Sequence, residues 1–78
     1  MNTHWEIEKI IEVAIDLKTT GSSPGSLAEQ IAAAFVLDNP AFLPDGWELV
    51  EAWDRLGPQW QHYVRLIKSD YFHLIESA

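Results

Sequence analysis

The sequence contains no cysteine, five Lys and Arg against twelve Asp and Glu, four glycines, four prolines and no long apolar run. Each shortage excludes something. Without cysteine there is neither a disulfide scaffold nor a thiolate metal site. Binding to a phosphate backbone needs a patch of Lys and Arg, and five scattered bases do not supply one. Adhesion to an anionic membrane surface is disfavoured for the same reason. The longest uninterrupted apolar run is Ile31 to Leu37, whereas a membrane-crossing helix needs about 20 residues. Met1 to Glu6 show no basic start and no apolar signal core. The expectation is one soluble, cytoplasmic domain over residues 1–78.

What is present is apolar surface and negative charge. An apolar fraction of 47% is too high for a disordered chain. Four tryptophans, Trp5, Trp47, Trp53 and Trp60, give 78 residues wide side chains with which to build a core without staples. The net charge is −7, and residues 1–54 hold ten of the twelve acids but only two of the five bases. A surface of that sign favours a basic partner over an acidic one.

The pattern is helical throughout. Thr3 and Glu6 fit a capping box, and Ile7, Ile10, Ile11, Ala14 and Leu17 then recur at helical spacing. A first helix is predicted over 4–19, stopped by Gly21. Ser26 and Glu29 form a second capping box, opening a helix over 26–37. Ala32 and Ala33 lie opposite its Leu27, Ile31 and Phe35, so it is apolar nearly all round and belongs at the centre. Asn39 to Pro44 predict a single turn near 40–43, with Phe42 and Leu43 plugging the core. Asp45 with Glu48 predicts a third helix over 46–56, ended by Gly57-Pro58. The fourth, 58–76, carries Trp60, Val64, Ile67, Tyr71 and Leu74 on one seam. No strand pattern is present. The predicted fold is therefore all-α, a compact bundle of four helices with a hairpin at Gly57-Pro58. Its predicted core is Ile7, Ile11, Ala14, Leu27, Ile31, Phe35, Leu49, Trp53, Trp60, Val64, Ile67 and Tyr71.

Motifs for catalysis are weak. His62 and His73 stand about 16 Å apart along one helix, too far to share a metal. Structural zinc wants four ligands. Ser69, Asp70 and His73 fall within one turn, but a straight helix offers no oxyanion hole beside them. The glycines near Ser22 lack the lysine and the strand of a phosphate loop. The expectation is a non-enzyme with no metal and no cofactor.

The acids are more informative. Glu8, Glu12 and Asp16 make one like-charged stripe at i, i+4 and i+8, a spacing that costs a helix some stability. Glu48, Glu51 and Asp54 crowd the third helix, where Arg55 can pair with Glu51. Such a face either keeps the protein in solution or meets a basic partner. Trp5 and Trp47 precede the apolar stripes of their helices, so half-exposed positions are expected for both. Exposed tryptophan is a favoured interface anchor. His62, Tyr63 and Arg65 can join such a patch.

Two functional readings follow. The first is a non-catalytic protein that docks on a basic, nucleic-acid-binding surface of a larger protein, as an inhibitor presenting carboxylates where phosphates would sit. Glu8, Glu12, Asp16, Glu48, Glu51 and Asp54 would make the contacts, with Trp5 or Trp47 as anchor. In size and charge this is similar to colicin immunity proteins and to phage-encoded anti-defence proteins, anti-CRISPR proteins among them. No motif is shared with them, and the likeness is one of style. The second is a self-associating helical subunit that forms a homodimer through apolar helix faces. Salt-sensitive binding marks the first, and dissociation on dilution marks the second.

Overall fold

The computed structural model describes residues 5–44 and 46–77. In chain order it contains α1 (Trp5–Thr20), α2 (Leu27–Val36), a 3-10 turn (Pro40–Phe42), α3 (Leu49–Leu66), a π turn (Ile67–Tyr71) and α4 (Phe72–Glu76). Strands are absent among the described residues. The all-α bundle expected from the pattern is the fold observed. The Thr3–Glu6 and Asp45 caps fall on Thr3 and Asp45, which lie outside the described residues.

The centre is α2. It packs against α1 on one side and α3 on another. Ile31, Ala32, Ala33, Ala34 and Val36 are all buried, and three consecutive alanines let neighbouring backbones come close. Its ends are closed by its own sequence. Ser26 Oγ accepts from Glu29 N at 3.3 Å, and Glu29 Oε1 accepts from Ser26 N at 2.9 Å, which completes the capping box. At the other end Asp38 takes φ 54°. Asp38 N then donates to Phe35 O, and Asn39 N to Ala34 O, both at 3.1 Å. That is a Schellman closure, with aspartate in the left-handed position usually held by glycine. Asn39 Oδ1 goes on to cap the 3-10 turn through Ala41 N.

The third predicted helix starts late. Gly46 has φ 88° and Trp47 is not helical, so the helix opens at Leu49 with Glu48 as its N-cap. Glu48 is thus one place before the helix rather than three inside it, and its side chain makes no cap bond. Gly57, at φ 78° and ψ 169°, breaks α3 into 49–56 and 58–66. Across that corner Gln61 Nε2 donates to Trp53 O at 2.8 Å, and the Arg65 guanidinium lies 5.3 Å from the Trp53 ring centre. These contacts bridge a kink within α3, at the place where the sequence predicts a hairpin.

The predicted core needs correction at its edges. Leu27 and Leu49, each the first residue of its helix, are exposed. Ile11, Phe35, Trp53, Trp60 and Tyr71 are only half-buried, though packed against the core. Ile10, Val13 and Leu17 are fully inside instead of Ile11. In α4 the heptad seam slips by one. Leu74 is exposed and Ile75 is buried, because the π turn at 67–71 adds a residue to one turn and rotates everything after it.

Candidate partner-binding surface

The outward face of α1 is set by the burial of its inner one. Ile7, Ile10, Val13, Ala14 and Leu17 point into the core. At 100° per residue, the opposite side carries Trp5, Glu8, Glu12 and Asp16 together. Trp5 is 67% exposed, more than expected, and it falls within the acidic stripe. Glu8 and Glu12 are exposed. Glu12 has a neighbour that i+4 counting overlooks: Lys9 Nζ lies 3.3 Å from its Oε1. Exposed pairs of this kind contribute little. Asp16 is half-buried, and its Oδ2 accepts from Ser23 Oγ at 3.3 Å. Its first task is therefore to fasten the loop after α1.

The second acidic group sits elsewhere. Glu48, Glu51 and Asp54 are exposed along the start of α3. The expected Arg55–Glu51 pair does not form, since the ion pairs among the described residues are Lys9–Glu12 and Lys68–Asp38. Helices α1 and α3 both pack on α2. The six acids are carried on two helices, three on each. Trp47 is half-buried and packs against the core, which leaves Trp5 as the freer anchor.

The bases are mostly engaged. Lys18 Nζ donates to the carbonyls of Ile75 and Glu76 at 2.9 and 3.0 Å, placing a cation on the carbonyl end of α4. Lys68 pairs with Asp38 and reaches Phe35 O at the end of α2, the same device used again. Arg65 lies over Trp53. None of these was visible in the sequence, because the partners are 57, 30 and 12 residues away. Four of the five bases are so occupied, counting Lys9, while Glu8, Glu48, Glu51 and Asp54 have no ion pair among the described residues. Only Lys9 and Lys68 are paired with carboxylates; Lys18 and Arg65 keep their charge at the surface against neutral partners.

His62 and His73 are both exposed. Among the described residues no three His, Asp or Glu side chains converge as a metal site. Ser69 Oγ donates to Leu66 O at 3.1 Å, a bond within its own helix. Tyr63 is buried and its hydroxyl accepts from Gln59 Nε2 at 2.7 Å, so it does not join an exposed patch. Among the described residues no helix is long and apolar enough to cross a membrane. Comparison with known protein families, curated proteins and solved structures finds no match to this chain.

Proposed function

We propose that this chain is a non-catalytic protein-binding protein, and that the outward face of α1 docks on a basic surface of a larger protein. The observation that supports the reading is the position of Trp5. It stands exposed in line with Glu8 and Glu12, on the side of α1 that the core does not use. An exposed aromatic ring among carboxylates suits a basic surface with an apolar recess. The carboxylates steer the encounter and the ring supplies the buried anchor. Asp16 adds charge at the edge while holding its loop. Glu48, Glu51 and Asp54, exposed on α3, add to the steering charge.

The partner is a protein whose basic surface ordinarily takes nucleic acid, and the chain acts there as an inhibitor by occupying the place of phosphates. Such a role fits the cytoplasm of a bacterium or of a host cell and the small acidic style of phage-encoded anti-defence and immunity proteins. No cofactor or metal enters it.

The test is retention of a partner by the immobilised chain from a lysate of its source, read against salt. Retention should fall steeply between low and high ionic strength. Glu8→Lys with Glu12→Lys should slow association, and Trp5→Ala should speed dissociation, with helicity unchanged in both variants. A partner held equally by the charge-reversed and tryptophan-less chains, at any salt, would overturn the reading.

A further inference from the structure

The structure has a second surface with a different chemistry. Between α2 and α3 lie two adjoining hollows of about 250 and 570 Å³, which share Phe35 and Asp38. The first is closed on its far side by Leu43 and Leu49, and the second by Trp53, Val64, Arg65 and Lys68. Phe35 and Trp53, which both line the second, meet edge to face with ring centres 5.0 Å apart. The lining is largely aromatic and aliphatic, with Arg65, Lys68 and Asp38 as its charged members, within a chain of net charge −7. Lys68 is already held by Asp38. Arg65 is fixed over Trp53 yet has no ion pair among the described residues.

A matching occupant needs an exposed aliphatic side chain with a carboxylate beside it. This chain displays that combination next to the groove itself. On 49–56, Leu49 and Trp53 line the groove, and Val50 and Asp54 come next around the helix. Val50 is 72% exposed and Leu49 is 48% exposed, side by side on one turn. Asp54 is exposed and without an ion pair among the described residues. A two-fold pair requires that ridge and groove lie together on one face, so that each copy's ridge enters the other's groove.

We propose that the groove between α2 and α3 seats a second copy of this chain in a two-fold pair. Val50 of each copy enters the other's groove at Phe35, the residue common to both hollows, between Leu49 of the first and Trp53 of the second. Asp54 of each meets Arg65 of the other. No residue of α1 lines either hollow, so the Trp5 face remains outside the pair. The pairing does not rest on the docking reading, and either can fail without the other.

Sedimentation of the full chain tests this. The mass should move towards twice 8.9 kDa as loading rises over roughly the micromolar to millimolar range, by mass action. Val50→Asp, at an exposed position, should weaken pairing by at least about tenfold while leaving helicity and melting unchanged. Asp54→Arg and Arg65→Asp should each weaken it by repulsion. The sharpest arm mixes those two variants. Each then offers the charge the other lacks at both contacts, so two poorly pairing chains should pair with one another. A folding defect in either chain would not be cured by mixing. A mass of one chain at every loading, with the groove left to a partner of other sequence, would overturn the proposal. A pair indifferent to Val50→Asp, or variants that fold but do not pair when mixed, would overturn it equally.

Discussion

Helix α2 and the 49–56 half of α3 are both short and apolar, and they touch through Phe35 and Trp53, yet they are held in different ways. α2 is capped at both ends by its own residues and is buried nearly all round. The 49–56 segment has an N-cap that makes no side-chain bond, buries Ala52 and Leu56, and leaves Leu49 and Val50 to solvent. One helix is specified twice, by local bonds and by packing. The other is placed by a corner at Gly57, two buried side chains and the packing of Trp53 on Phe35. The difference teaches where this small chain keeps its spare apolar surface: on the helix whose position costs least to leave uncovered.

That contrast can be broken most directly in the core. Ile31 of α2 is fully buried, and Ile31→Ala should cost about 2–5 kcal/mol. Leu49→Ala, at the exposed start of α3, should cost under about 1 kcal/mol. Urea denaturation of both variants checks the pair, and equal losses would mean that α3 is anchored as firmly as α2. Two glycines sharpen it next. A Cβ at Gly25, just before α2, would lie 2.6 Å from Val13 Cγ2, so Gly25→Ala should cost about 1–3 kcal/mol through overpacking. At Gly57 a Cβ meets nothing within 4 Å, but φ is 78°, so Gly57→Ala should cost a similar amount, about 1–3 kcal/mol, through backbone strain. A double-mutant cycle with Val13→Ala separates the causes, since trimming Val13 should relieve the first and leave the second untouched. The smallest effects come from the caps. Ser26→Ala should cost about 1 kcal/mol, whereas Glu48→Ala should stay within about 0.5 kcal/mol. Thermal melts resolve that order, and a larger loss at Glu48 would show a cap bond formed in solution.

The contrast also explains what was legible in the sequence. Ser26 and Glu29 announce the start of α2 because the partners of that cap are three residues apart. Gly57-Pro58 announces the corner because the required backbone conformation is open to few other residues. The inner side of α1 was less clear. Ile7, Ile10, Ile11, Val13, Ala14, Ile15 and Leu17 cover more than half of its circumference, and only contact with α2 selects Ile10 and Val13 over Ile11. The π turn leaves no local mark in Lys68-Ser69-Asp70, so its rotation of Ile75 into the core was out of reach. On the candidate surface, the acids and Trp5 were found because charge and ring are properties of the residue type. The bond that fastens Asp16 to Ser23 was not, because it depends on where the chain after α1 is placed. The groove was missed for the same reason: its walls come from residues 34–49 and 53–69, and no single stretch contains both.

The bonds from Lys18 to the Ile75 and Glu76 carbonyls, together with the burial of the Ile75 side chain, have a consequence in time. They join stretches of chain separated by 57 and 58 residues. During synthesis at the ribosome, the first helix emerges long before the residues that complete its packing. Part of its apolar side must wait uncovered until residue 75 has cleared the exit tunnel. Closure of the fold is therefore a late event that follows translation of this segment, and the waiting interval is when the chain is most open to capture by chaperones or by its own kind.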